Sequence, residues 1–285
     1  MFQRILVALD VNRVSLYFLQ GVAQWAQAFG ARLILLHVVP HEEFVPPSLQ
    51  EIFSQTTQRV RAEMDQRLTE IAERIQQNFG VPVESTWIRM GVPYEEVVAG
   101  CQDQGCDLIA VGYRLGETSE DLGSTAYRIL TRAQVPVLVY PHREPREIQR
   151  ILVPVDLSPL SLRALERAFE VASVFKAQVV VLHVIELLES LAAQEAQERI
   201  QREVEQILRE RIRTVSGTVT YRIRIERRYE ALPGILDAVE QEQPDLVVMA
   251  SHGRAGFKHW LMGSVTEKVL RSVEVPVLVW KPKGA

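Results

Sequence analysis

One seven-residue pattern occurs twice and decides the fold: Arg-Ile-Leu-Val-Ala-Leu-Asp at residues 4–10 and Arg-Ile-Leu-Val-Pro-Val-Asp at residues 150–156. Both copies are apolar runs that end in an aspartate, which is typical of a strand buried on both faces of a parallel sheet. A later pair, residues 135–140 and 275–280, also matches, at an offset of 140 residues instead of 146. A period of this length indicates a duplicated domain rather than a solenoid of short repeats.

Within each copy, short apolar runs alternate with longer segments of helical periodicity. Each copy is therefore predicted to be α/β, with a parallel sheet, helices on both faces and right-handed crossovers. The predicted domains are residues 1–140 and 150–285, joined by a polar, proline-containing linker at 141–149. In the second copy the predicted strands are 150–155, 178–185, 218–226, 245–251 and 276–280, and the predicted helices include 160–175, 188–213 and 263–273.

Composition narrows the class of protein. The chain has 285 residues, of which 47% are apolar and 24% charged, as in ordinary globular proteins. Its net charge of −4 argues against nucleic-acid binding. No apolar run approaches the ~18–20 residues of a membrane span, and no signal peptide is apparent, so we expect a cytoplasmic protein. The two cysteines, Cys101 and Cys106, are interpreted as ordinary thiols, with redox sensing as the alternative.

The loop between the strand predicted at 245–251 and the helix predicted at 263–273 carries the chemistry. It contains Arg254 and Lys258 and leads into Gly263. A glycine at a helix N-terminus lets an anion approach unsatisfied backbone N–H groups, and the Ser264 and Thr266 hydroxyls are expected to donate to its oxygens. The loop therefore predicts a polyphosphate site at the carboxyl edge of the sheet.

This loop resembles the nucleotide-binding signature of the universal stress protein family, Gly-x2-Gly-x9-Gly-Ser/Thr. Here the signature begins at Ala250 in place of the first glycine and continues through Gly253, Gly263 and Ser264. The resemblance extends over both copies. It implies two tandem Rossmann-like domains of the adenine nucleotide alpha hydrolase type, each with a five-stranded sheet of order 3-2-1-4-5. It also implies ATP, with or without Mg²⁺, between strands 1 and 4.

Carried over residue by residue, the resemblance implies that Asp156 contacts the ribose and that Val184 offers backbone groups to adenine. The phosphates would lie against the loop and the start of the helix that follows it. No catalytic or metal-ligating residue is predicted. The expected ATP-binding residues are Pro154, Val155, Asp156, Val184, Ala250, His252, Gly253, Arg254, Gly263, Ser264, Val265 and Thr266.

Each of these features also has a purely structural interpretation. Asp10 and Asp156 could cap the helices that follow them, and the second-copy loop could be a structural turn. His37 and His183 lie in buried strands and are more readily explained as hydrogen-bonded core residues than as ligands.

The first copy has a degenerate loop. Leu115 occupies the place of the middle glycine, and one arginine faces three acidic residues, Glu117, Glu120 and Asp121. Carboxylates close to a phosphate oppose its binding by about 1 kcal/mol or more each. We therefore expect the second copy to bind ATP and the first copy not to bind it.

Three functions remain open at this point. The first is a cytoplasmic ATP-binding protein with a regulatory or stress-response role. The second is a weak ATPase or nucleotide hydrolase, limited to slow hydrolysis because no Walker motif or placed general base is apparent. The third is a nucleotide-free scaffold module. The resemblance also implies antiparallel pairing of the last strands, 136–140 and 276–280, into an intramolecular pseudo-dimer. It allows a homodimer and an unknown protein partner, with no nucleic-acid or membrane partner.

Overall fold

The computed structural model describes residues 1–40, 50–113, 124–141, 143–186, 194–253 and 262–281. The chain divides into two compact units, and the boundary falls between residues 145 and 146. This boundary lies inside the linker predicted at 141–149.

The first unit alternates strands and helices along the chain. Its strands are all parallel, in the order β3-β2-β1-β4-β5. The described elements are β1 (Arg4–Ala8), α1 (Leu16–Phe29), β2 (Arg32–Pro40), α2 (Gln50–Phe79), β3 (Val83–Gly91), α3 (Pro93–Asp103), β4 (Leu108–Tyr113), α4 (Ser124–Arg132) and β5 (Val137–Pro141).

The second unit repeats this plan. Its parallel strands lie in the order β8-β7-β6-β9-β10, which is again 3-2-1-4-5 when they are counted from the start of the unit. The predicted fold and strand order are thus confirmed for both copies. The described elements are β6 (Arg150–Pro154), α5 (Pro159–Phe175), β7 (Gln178–Glu186), α6 (Gln194–Arg213), β8 (Tyr221–Arg228), α7 (Ala231–Glu242), β9 (Leu246–Ala250), α8 (Ser264–Ser272) and β10 (Val277–Trp280).

The central strands of the second unit explain why its sequence shows apolar runs rather than alternation. Leu152 and Val153 in β6 and Val180 and Val181 in β7 are fully inaccessible to solvent. Side chains on both faces of these strands are covered, so both faces must be apolar.

The third strand of the second unit begins later than predicted. Residues 218–220 lie outside it, because a turn precedes it: Gly217 has φ +52° and the Val219 N–H donates to the Ser216 carbonyl at 2.8 Å. The strand then continues to Arg228, two residues beyond the predicted end. Arginine side chains at its end pair with α7 carboxylates, as in the Arg228–Asp237 ion pair. Hydrophobicity alone therefore did not indicate where the strand ends.

Strand order reverses between β6 and β9, since the chain leaves β6 for β7 on one side and returns to β9 on the other. The two strands pair only at Ile151↔Leu246 and Leu152↔Val247. Pro154 follows in β6, and because proline has no N–H it cannot donate a ladder hydrogen bond. Beyond the paired residues a crevice opens at the carboxyl ends of the strands, which is where ligands bind in open parallel sheets.

No helix within the described ranges is long and apolar enough to cross a lipid bilayer.

Candidate functional site

A cavity of about 300 Å³ occupies the crevice of the second unit. Every predicted binding residue except Arg254 lines it. Arg254 and Lys258 fall within residues 254–261, outside the described part of the chain. The volume is at the lower end of the range for small-molecule sites.

Asp156 is positioned by a turn at the end of β6. Its Oδ1 accepts a hydrogen bond from the Ser158 backbone N–H at 3.0 Å. Leu157, between them, has a left-handed backbone with φ +66°, a strained conformation for a leucine. Ser158, not Asp156, caps α5, since its Oγ accepts from the Ser161 N–H at 3.2 Å. The helix-cap interpretation of Asp156 is therefore wrong, and its carboxylate forms part of the cavity wall.

Gly253 lies directly against the Asp156 carboxylate. A Cβ atom at residue 253 would lie 2.1 Å from Asp156 Oδ2, far inside van der Waals contact. A larger residue at position 253 would therefore displace the Asp156 carboxylate from its place in the cavity wall. The glycine at the second position of the signature thus corresponds to a physical contact between the loop and the end of β6.

The start of α8 forms the opposite end of the cavity. Gly263 is the N-cap residue, and its N–H donates to the Ser251 carbonyl at 2.8 Å. Glycine has no side chain with which to cap the first N–H groups of the helix, and Ser264 beside it is exposed. A Cβ at residue 263 would lie 3.2 Å from His252 Cα, so the glycine also lets the helix approach the end of β9. An uncapped helix N-terminus of this kind suits an anion.

Thr266 has a different role from the one expected. Its hydroxyl is buried and donates to the Ala250 carbonyl at 2.9 Å. The hydroxyl hydrogen of Thr266 was expected to donate to a phosphate, but it instead forms a hydrogen bond that links α8 to the end of β9. Ser264 lies at the N-terminus of α8, as expected.

His183 holds the end of β6 against β7. Its Nδ1 donates to the Val155 carbonyl at 2.6 Å, because a carbonyl can only accept. His37 makes the same contact with Leu9 in the first unit, at 3.1 Å. Both histidines are buried and hydrogen-bonded, in agreement with the core interpretation.

The Val184 backbone faces the cavity. The Leu182 carbonyl accepts from the Val155 N–H at 2.8 Å, so the backbone groups of Leu182 point toward β6. In a strand the backbone groups of residues two apart point to the same side. Pro154↔Leu182 is the last pair between the two strands, and the N–H and C=O of Val184 therefore extend past the end of β6.

The two ends of the cavity differ in charge. Asp156 and Glu186 contribute carboxylates, and the described lining includes no lysine or arginine. His252 lies on the loop side, with its Nδ1 3.1 Å from Ser251 Oγ. The carboxylates suit hydroxyl and amino donors, whereas the α8 N-terminus suits an anion.

Sequence reasoning missed several lining residues. Ala231 and Ile235 belong to α7, which starts directly after β8 and so has its N-terminus at the same sheet edge. The predicted topology alone could have indicated them. The full set of missed residues is Ser161, Leu182, His183, Glu186, Ala231, Ile235 and Met249. Among the described residues, no group of three or more His, Cys, Asp or Glu side chains could hold a metal ion.

The fold and cavity define a doubly wound α/β protein with a ligand crevice at its strand switch point. Family comparison agrees: the Universal stress protein family model matches residues 1–141 and again residues 147–281. The chain belongs to the universal stress protein family, in its tandem form.

Individual relatives match either the whole chain or about half of it. A universal stress protein of Mycolicibacterium smegmatis is 28% identical over 292 residues, covering 98% of this chain and 97% of that protein. Universal stress protein MJ0531 of Methanocaldococcus jannaschii is 30% identical over 149 residues, covering 47% of this chain and 82% of that protein. The crystal structure of a universal stress protein from Archaeoglobus fulgidus shares the fold, with a TM-score of 0.70, 22% identity and coverage of 98% and 96%.

Proposed function

We propose that this chain is a cytoplasmic ATP-binding universal stress protein with a regulatory role, and that the second unit holds the nucleotide. One observation carries the proposal: a single cavity at the strand switch point joins the Asp156 carboxylate to the glycine-capped N-terminus of α8. A nucleoside phosphate needs hydroxyl recognition at one end and anion recognition at the other.

The described residues fit the three parts of ATP in order along the cavity. The Val184 backbone would hydrogen-bond the adenine edge, and Ile235 of α7 adds apolar surface. The Asp156 carboxylate would accept hydrogen bonds from ribose hydroxyls. The N–H groups at the start of α8 would receive the phosphates. With no protein metal cluster among the described residues, Mg²⁺ would arrive bound to the phosphates.

Slow hydrolysis is the second candidate. It requires a base near the terminal phosphate, and both carboxylates of the described lining lie on the ribose side or at the end of β7. We therefore expect storage or sensing of ATP rather than turnover. Steady-state phosphate release of many per minute would favour the enzyme instead.

Direct extraction of bound nucleotide separates these functions from a nucleotide-free scaffold. Protein purified without added nucleotide would be denatured, and the supernatant chromatographed against ATP, ADP and AMP. We expect adenine nucleotide at about one per chain. Gly263→Val should abolish it, because the side chain would press on the backbone of His252 and separate α8 from β9. Gly123→Val at the matching sequence position of the first copy is the control, and equal loss in both variants would contradict the assignment.

We further propose that the last strands, β5 and β10, pair with each other in an intramolecular pseudo-dimer. The support is the family resemblance together with the need to cover the outer strand of each sheet. The proposal includes association of two chains into a homodimer and binding of an unidentified protein partner. Light scattering of the purified chain with and without ATP measures the oligomeric state.

A further inference from the structure

Cys101 and Cys106 occupy two linked positions at the end of α3. Gly105, between them, is left-handed with φ +59°, the usual way for a helix to end. The Cys106 N–H donates to the Cys101 carbonyl at 2.9 Å and the Gly105 N–H to the Gln102 carbonyl at 3.0 Å, which together form a Schellman motif. In this motif the side chains of the two outer residues contact each other, and here both are thiols.

The Cys101 thiol donates a hydrogen bond to the backbone carbonyl of Cys106, with Sγ 3.6 Å from the oxygen. Both cysteine side chains are buried, with exposed fractions of 2% and 6%. A hydrogen bond from the Cys101 S–H lowers the pKa of Cys106, and the nearby Arg4 guanidinium lowers it further, against the effect of burial. The interaction between the two side chains, together with burial, raises the pKa of Cys101.

The second unit shows what this turn requires structurally. Arg4 donates to the Gln104 carbonyl in the first unit, and Arg150 donates to the Glu242 carbonyl in the second, which aligns the two turns. The positions that match the two cysteines are then Val239 and Pro244. The second helix ends differently, because the Gln243 N–H donates to the Val239 carbonyl at 3.0 Å and Pro244 has no N–H to donate. An apolar pair without sulfur nevertheless occupies the two matching positions, so a helix end at this place in the fold does not require two thiols.

We propose that Cys101 and Cys106 form a redox site that hydrogen peroxide converts into an intramolecular disulfide. The Cys106 thiolate attacks one peroxide oxygen, the O–O bond breaks, and hydroxide leaves, giving a sulfenic acid on Cys106. The Cys101 thiol then attacks that sulfur as its proton is lost, an S–S bond forms, and the sulfenic oxygen leaves as water. The two thiols are oxidised by two electrons and the peroxide is reduced.

This site is separate from the nucleotide cavity. Cys106 comes immediately before β4, at the amino ends of the strands of the first unit, whereas the cavity lies at the carboxyl ends of strands in the second unit. Two backbone hydrogen bonds close the turn and hold the two residues near each other.

Intact-mass measurement of the full chain tests the site. Wild-type protein treated with hydrogen peroxide is expected to lose the mass of two hydrogen atoms and to regain it with dithiothreitol. Cys101→Val, which copies Val239, should stop at the sulfenic acid, trapped as a dimedone adduct on Cys106. Cys106→Val should label at Cys101 at least about tenfold more slowly.

Two results would overturn the inference. In the first, both cysteines of the folded wild-type protein remain reduced at a peroxide concentration that oxidises them in the chain unfolded by urea. The other is a wild-type product that gains oxygen at either cysteine without forming the disulfide. Circular dichroism of the two variants establishes that they are folded, and since neither residue contacts the cavity, their ATP binding should equal that of wild type.

Discussion

The two units begin with nearly the same strand, yet their carboxyl edges differ. In the first unit β1 and β4 stay paired from Ile5↔Leu108 to Ala8↔Val111, whereas β6 and β9 pair at only two positions. Pro154 stands where the first unit has Ala8, and it cannot donate to the ladder. Proline in place of alanine at the end of the first strand thus coincides with earlier separation of β6 and β9, and the crevice opens where these two strands separate.

The aspartate at the end of each first strand does not by itself make a site. Asp10 and Asp156 each accept a hydrogen bond at 3.0 Å from the N–H two residues later. In the first unit the next residues are tied to α2, because Asn12 Oδ1 accepts from Arg67. In the second unit the carboxylate faces Gly253. The proposed nucleotide site of the second unit therefore depends on the contact between this aspartate and a glycine of the loop after β9, and not on the aspartate alone.

The largest expected effect comes from breaking that contact. Gly253→Val should weaken ATP binding by at least about 100-fold, since even its Cβ would lie 2.1 Å from Asp156 Oδ2. Isothermal titration calorimetry measures the change. Leu115→Val, at the matching sequence position of the first copy, should leave the affinity unchanged. An unaltered affinity in Gly253→Val would mean that ATP binds elsewhere.

The ends of the last strands give a second contrast, Pro141 in the first unit against Lys281 in the second. Lys281 is 7% exposed, and burial lowers its pKa from 10.5 to about 8. The folded chain therefore holds fewer protons than the unfolded chain between these values, and the free energy of unfolding should rise from pH 8 to 10.5. Below pH 8 the full penalty is present.

Lys281→Met removes that penalty. We expect the free energy of unfolding at pH 7 to increase by about 3 kcal/mol, with a flatter profile at alkaline pH than wild type. Urea denaturation across this pH range measures both. A variant less stable than wild type at pH 7, with the same alkaline slope, would show that Lys281 is not the group responsible.

Asp156→Asn tests the carboxylate with little change of shape. The amide oxygen can still accept from the Ser158 N–H, but hydrogen bonds to ribose hydroxyls lose their charge, so the affinity for ATP should fall about tenfold. Asp10→Asn is the matched control and should bind as wild type does. Equal losses in both variants would place a nucleotide in each unit.

Thr266→Val has the smallest expected effect, and it separates structural from ligand contacts. The variant leaves the Ala250 carbonyl without its hydroxyl donor, so the free energy of unfolding should fall by about 1 kcal/mol. ATP affinity should change less than threefold, or about 0.6 kcal/mol. A large loss of ATP affinity with unchanged stability would instead indicate that the Thr266 hydroxyl contacts a phosphate, as the sequence suggested.

These residues also show which features of the fold and of the site could be predicted from the sequence. The repeated alternation of apolar runs and helical segments predicted two parallel α/β domains, whereas the strand order 3-2-1-4-5 came from the family resemblance. The crevice followed from the strand order. The use of the Thr266 hydroxyl and the capping of α5 by Ser158 rather than Asp156 depend on contacts across a turn, where a hydroxyl or carboxylate has several equally near partners. The end of β8 depends on ion pairs between its arginine side chains and carboxylates of α7, which the hydrophobic periodicity of the sequence does not reveal.

Nucleotide stoichiometry tests the central claim most directly. Calorimetric titration of the full chain with ATP, with concentration fixed by amino-acid analysis, counts the sites. The difference between the two carboxyl edges predicts one ATP per chain, with an affinity that falls about tenfold in Asp156→Asn and is unchanged in Asp10→Asn. Two ATP per chain, or an affinity that falls in Asp10→Asn and not in Asp156→Asn, would contradict it.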